Sequence, residues 1–559
     1  MKQNNKKNNK KNLTLIVAFN LLVIGLTSLI YIFSGGKLYD DTPSTHTKKI
    51  NTKNSKLPDT NDISEKIDSV DTPIKADIKL IKNTRNTVIC TDRRIGDTFT
   101  HKGYQYIVVG DGTGTYGIKS KDLLKKLDTG KLRFCTSHVT NMDTMFGNST
   151  YNPDISDWDT SNVTSMQGMF YETKSFNQPI DNWDTSSVID MSYMFYKAGA
   201  FNQPLDNWDT SNVTNMEAMF YEAKSFNQPL DKWDTSNVTN MKAMFDRAKI
   251  FNQPLNNWNV SKVSTMQLMF ADALRFNKPL NNWDVSNVVN MSQMFFESKS
   301  FNQPLDKWDT SNVTNMEAMF SGAESFNQSL DNWNVSRVLT MEEMFASTSK
   351  FNQSLNDWNV SHVTNMSGMF FEAKSFNQPI NNWNVSSVVN MNQMFYEAES
   401  FNQPLNDWNV SHVTNMKTMF SGAESFNQPL GNWDVSRVLT MQEMFTSASK
   451  FNQPLNDWNV SHVTNMKSMF NEAKSFNKPL NSWNTSNVTN MIGMFYKAES
   501  FDQPLNNWNT SKVTDMEGMF SEAKSFNQPL VGWDVSKVKN YNEFAQGSKL
   551  SEENLPKFS

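Results

Sequence analysis

Along most of the chain the apolar residues fall in one recurring pattern. In residues 201–225 the apolar positions are Phe201, Leu205, Trp208, Val213, Met216, Met219, Phe220 and Ala223, with polar residues between them. Trp208 and Thr210 alternate with polar neighbours, which predicts a short strand over 207–211 with both side chains facing in. From Val213 the period lengthens. Met216, Met219, Phe220 and Ala223 stand at i, i+3, i+4 and i+7, one face of a two-turn helix, and Thr214 with Glu217 has the form of a capping box. Pro204 keeps a helix from running into the following strand.

This 25-residue unit repeats down the chain. All 16 Trp lie on one series from Trp158 to Trp533, and 32 of the 33 Met form 16 copies of Met-x-x-Met-Phe. A single unit cannot shield its own indole, two Met and two Phe, so stability has to come from stacking on neighbours. The expected fold is an α/β solenoid: a right-handed coil of strand, turn and short helix units with terminal caps. Helices need more lateral room than strands, so the strand face is expected to be concave. Residues 134–146 form a partial first repeat with Phe134 at the Trp register, while Tyr541, Phe544 and Ala545 replace Met, Met and Phe in the last. Residues 326–375 and 426–475 match closely, which points to duplication of a four-unit block.

The array runs from 134 to 545, followed by a C-terminal cap and tail at 546–559. Ahead of it lies a cap module, 87–133, with a hairpin turning near Lys102-Gly103, a glycine-rich loop at 110–117 and a short amphipathic helix. That loop lacks the spacing and flanking residues of a phosphate-binding site and reads as a connector. Residues 1–12 carry five Lys and no acid, and 13–33 carry no charge, about the ~20 residues that a membrane-spanning helix needs. Lysines ahead of the apolar run place that end in the cytoplasm and the remainder outside. A cleaved secretory signal, with Ser34-Gly35-Gly36 for the peptidase, is the alternative. Residues 34–86 are polar and read as a flexible stalk.

The motif Leu-x-x-Trp-x-(Val/Thr)-Ser-x-Val-Thr-x-Met resembles the core of a leucine-rich repeat. With Met-x-x-Met-Phe and Phe-Asn-Gln-Pro-Leu, the whole unit resembles the BspA-family leucine-rich-repeat surface proteins, in the subgroup with a mycoplasma-type 25-residue repeat. The resemblance covers about 134–545. It implies a leucine-rich-repeat-like coil displayed outside the cell and an adhesin-like role, binding host or neighbouring-cell surface proteins or glycans. Trp and Met at Leu positions depart from ordinary leucine-rich repeats. A structural spacer or self-associating surface coat is the alternative, and the oligomeric state is left open.

A net charge of −5 supplies no basic field for nucleic acid. With Trp inward, the residue after it and the Ser two further on point out to the expected concave face. This candidate binding row comprises Asp159, Asp184, Asp209, Asp234, Asn259, Asp284, Asp309 and onward, with Ser161 and Ser211 among its serines. The competing reading is that these side chains bond neighbouring turn backbone. Positions that differ between units, such as Tyr221-Glu222 against Asp246-Arg247, are better placed for specificity. Asn202 and its equivalents are expected to satisfy backbone groups of the return loop. The Met stripe reads as core, and His362, His412 and His462 stand two units apart, too far for joint metal ligation. No cofactor is expected. No nucleophile–base motif recurs, so the protein is expected not to be an enzyme. Cys90 and Cys135 are the only cysteines and either form a disulfide or stay as two thiols.

Overall fold

The computed structural model describes residues 86–558. The expected basic tail 1–12, membrane segment 13–33 and, but for its last residue, stalk 34–86 lie outside them. Among the described residues no helix is long and apolar enough to cross a membrane.

The described part opens with β1 (Thr98–His101), β2 (Tyr104–Val108), α1 (Lys121–Asp128) and β3 (Arg133–Cys135). β1 and β2 are antiparallel, and β3 adds to β2 in parallel. Lys102 and Gly103, both at positive φ, make the tight hairpin turn between β1 and β2. α1 buries Leu123, Leu124 and Leu127 in the same core as Phe134 and Phe146, so the module closes the N-terminal end of the array. Cys90 is disulfide-bonded to Cys135. Arg133 also ties the module to the first coil, through Asp157 at 2.8 Å and Asp154 at 2.9 Å.

The array is a solenoid-like stack of 25-residue coils. Its core holds the Trp, both Met and the Phe of each unit, and Trp208, Met216, Met219 and Phe220 are at most 3% exposed. Successive indoles lie nearly parallel, as Trp208 and Trp233 do at 6.3 Å. Each indole Nε1 from Trp183 to Trp533 donates to a carbonyl 28 residues earlier, for example Trp233 to Leu205 O at 2.9 Å. The equivalent atom of Trp158 has no partner, because its counterpart position falls inside the cap module.

The units contain neither the predicted strand nor the predicted helix. Past β3, among the described residues the array has only single-residue parallel bridges, in an unbroken series from Asn141–Ser165 to Asp515–Asn540. Ala218 and Glu222 both have φ of 51°, which an α-helix does not accept. Met216, Ala218, Phe220 and Glu222 instead donate their N–H groups to Asn240, Lys242, Met244 and Asp246 of the next unit, at 2.7–3.0 Å. The peptides between these turn back on the chain, as in Met219 N–H to Met216 O. The capping box does not form either, since the Glu217 N–H bonds Asn215 Oδ1. A helix would have spent its N–H groups internally. The turns give each unit four backbone bonds to its neighbour while keeping Met216, Met219 and Phe220 on the core side. The inter-unit backbone ladder therefore runs along 214–222, not along 207–211.

Candidate binding surface

The row beside the tryptophans is a row of turns. Ser211 donates its N–H and its hydroxyl to Asp209 Oδ1, at 3.0 and 2.7 Å, and Ser161 treats Asp159 the same way at 3.2 and 2.7 Å. The Asn259 side-chain oxygen accepts from the Ser261 N–H at 3.1 Å. Asp159 is nearly buried and its other oxygen accepts from Ser137 at 2.6 Å. Asp184, Asp234, Asp284 and Asp309 are exposed, while Asp209, Ser161 and Ser211 are half-buried. At Asp309 the Ser311 hydroxyl and N–H hold the carboxyl below its ordinary range. One oxygen of each of these side chains thus belongs to an Asx turn.

The spacing of equivalent rings gives the two sides of the stack different widths. It is 6.3 Å for Trp208–Trp233, 5.6 Å for Phe220–Phe245 and 4.4 Å for Tyr196–Tyr221. Equivalent rings are closest among the turn-row tyrosines, where the backbone ladder holds successive units near the ~4.8 Å of paired strands, and wider in the Trp column beside the Asp/Asn row.

In the turn row the repeat symmetry is broken by tyrosines. Tyr171, Tyr196 and Tyr221 stack at 4.7 and 4.4 Å, and Tyr193 donates to Glu217 Oε1 at 2.8 Å. Lys197 lies over the Tyr196 ring and Arg247 over that of Tyr221. Burial, then Glu172 and Glu222, push the Tyr196 hydroxyl up to about 12. Beside them Asp246 is buried, its carboxyl pushed up to about 8 by desolvation, with Arg247 opposing and Asp272 and Glu222 adding. The sequence reading singled out Tyr221-Glu222 as a variable pair but missed the ladder. Its signal was tyrosine at the same register in three consecutive units.

Elsewhere, Asp111 in the glycine-rich loop accepts the Thr140 N–H and hydroxyl and the Asn141 N–H, capping the first coil. Gly117 is confined to glycine there, because a Cβ would stand 2.3 Å from the Gly112 carbonyl oxygen. Among the described residues no group of three or more His, Cys, Asp or Glu is placed to hold a metal ion. His362, His412 and His462 are exposed.

These features define a tandem-repeat protein whose Trp, Met and Phe core recurs while its surface varies. Residues 124–229, 203–306, 278–381, 366–475 and 450–558 each match the family described as "Mycoplasma protein of unknown function, DUF285". The chain belongs to that family. No curated protein matches it.

Proposed function

We propose that the array is a non-catalytic binding scaffold, held outside the cell through residues 13–33, that contacts host or neighbouring-cell surface proteins or glycans. The resemblance of the repeat to BspA-type leucine-rich-repeat surface proteins supports display outside the cell. The observation that carries the binding reading is the tyrosine ladder. The core Trp, Met and Phe recur from unit to unit, whereas the turn-row surface of 171–247 concentrates four tyrosines among Glu172, Glu217, Glu222 and Asp246. The half-buried Tyr171, Tyr193 and Tyr221, packed on the buried Tyr196 with carboxylates alongside, supply apolar area at low entropic cost together with hydrogen-bonding groups.

The test is capture of host-cell surface components by the full chain. The double variant Tyr196→Ser and Tyr221→Ser suits it, because Ser321, Ser421 and Ser521 already occupy this register in other units. Loss of capture with an unchanged melting temperature supports the ladder as the site. A variant in which Asp184, Asp234, Asp284 and Asp309 become Asn tests the row beside the tryptophans in the same assay. Undiminished capture by both variants rejects both surfaces, and failure of the parent chain to capture anything rejects the binding reading.

A further inference from the structure

We propose that the turn row carries a second binding site, at Tyr396 and Ser421, that takes the guanidinium of an arginine presented by a partner protein. The site lies outside the tyrosine ladder of 171–247, in the same register of the repeat. Phe371 stacks on one face of the Tyr396 ring at 4.7 Å. On the other side the next unit has Ser421 where the ladder would place another ring, so that face is uncovered by a ring. Ser421 is 6% exposed, and among the described residues its hydroxyl has no hydrogen-bond partner. It stands at the floor of the gap as a donor and acceptor that a ligand can satisfy. Glu397 crosses Gly422, where a Cβ would stand 2.8 Å from Glu397 Cγ, so the glycine makes room for a carboxylate beside the ring. Burial, then Glu397, Glu372 and Glu443, push the Tyr396 hydroxyl above its ordinary value, which places three carboxylates around the gap.

The chain itself shows what this arrangement binds. Three tyrosines of the register carry one of its own cations over the ring: Lys197 over Tyr196 at 5.2 Å, Arg247 over Tyr221 at 5.5 Å and Lys497 over Tyr496 at 4.8 Å. A fourth, Tyr171, is stacked on Tyr196. Tyr396 is followed by Glu397 in place of Lys, and among the described residues no Lys or Arg lies over its ring. Lys374 of the preceding unit is held by Glu399 at 2.7 Å. The site therefore keeps the ring and the acids and lacks the cation. A guanidinium is planar, stacks on an aromatic face and pairs with carboxylates through its fork of N–H groups, which suits a gap with one aromatic wall and acids at its edges. One hundred residues earlier Phe296, Ser321 and Glu343 repeat the pattern, but there Lys299 reaches Glu297 at 3.6 Å, so that copy supplies its own cation.

The full chain, in detergent to accommodate its apolar N-terminal run, is mixed with N-acetyl-arginine amide, and saturation-transfer NMR reads the side-chain signals of the probe. N-acetyl-citrulline amide, close in shape but uncharged, is the reference. The arginine probe should give a signal at least about three-fold that of citrulline. Glu397→Lys should bring it down to the citrulline level, because the variant rebuilds the Tyr196–Lys197 and Tyr496–Lys497 arrangement and covers the ring from within. Tyr396→Ser should do the same. Both should fold, since lysine and serine already occupy these registers in other units, at Lys197, Lys497, Ser321 and Ser521. Tyr196→Ser with Tyr221→Ser should leave the signal unchanged, so this site is read apart from the ladder. Equal signals from the two probes, a signal that survives both Glu397→Lys and Tyr396→Ser, or one lost with Tyr196 and Tyr221, overturns the proposal.

Discussion

The Nε1 of Trp308 donates to the carbonyl of Leu280 at 3.0 Å, across a separation of 28 residues. The indole therefore fills the core of its own coil and satisfies a buried backbone acceptor of the coil before. Leu280 O also accepts the Trp283 N–H at 3.1 Å, so replacing Trp308 by Phe removes one of its two hydrogen bonds together with core volume and should cost about 1–3 kcal/mol. Trp158 is an internal control, because its Nε1 bonds nothing. Trp158→Phe should cost about 1 kcal/mol less than Trp308→Phe in urea unfolding. Equal costs would mean that the hydrogen bond contributes nothing.

Gly322 separates the turn architecture from the helix expected in its place. Its φ is +73°, and an added Cβ would stand 2.7 Å from Glu297 Cδ and 3.2 Å from Glu297 Cα. Gly322→Ala should destabilise by roughly 1–2 kcal/mol. In a helix the same change would stabilise by up to ~1 kcal/mol. Thermal unfolding of the single variant reads the sign directly.

The register of the core was legible in the sequence because stacked rings translate into a fixed 25-residue period, which Trp, Met and Phe keep from 158 to 533. The return loop was legible too: Asn202 Oδ1 accepts the Asn227 N–H at 3.0 Å, the backbone duty assigned to it. The helix was misread because apolar residues at i, i+3, i+4 and i+7 suit successive three-residue turns as well as a helix. The residues at positive φ, Ala218 and Glu222, are good helix formers and give no warning. The signal lay in other units, where Gly168, Gly368 and Gly518 replace the first and Gly322 and Gly422 the second. Which side of the stack is narrow was not legible, since it depends on where the backbone ladder runs. The binding row was legible as a row, but the Asx bonds that occupy it are a property of the turn.

The disulfide closes a separation of 45 residues and joins the start of the cap module to β3. Loop-closure entropy for that length gives about 4 kcal/mol, within the usual ~2–5 kcal/mol lost when such a bond is removed. Cys90→Ala with Cys135→Ala should lower the unfolding temperature and release hydrogen-exchange protection first at Val108 and Val109, which lie beside it. Full retention of protection there would show that the Arg133–Asp157 pair and α1 hold the module unaided.

Asp246 supplies a pH dependence whose sign is fixed by its burial. Its folded carboxyl titrates at about 8, above the ~3.9 of an unfolded chain, so the folded state holds a proton that the unfolded state has released. That contribution is fully present below about pH 4 and is lost as the pH climbs through 8. Arg247, whose Nε lies 3.9 Å from Asp246 Oδ1, offsets only part of the desolvation, and Glu222 and Asp272 oppose ionisation further. Asp246→Asn keeps the shape and removes the titration. The variant should therefore match the parent chain near pH 4 and exceed it in stability at pH 8–9, with the gap opening steadily between. Unfolding midpoints across this range test it: a constant difference between the two proteins would mean that Asp246 is ionised in the fold throughout.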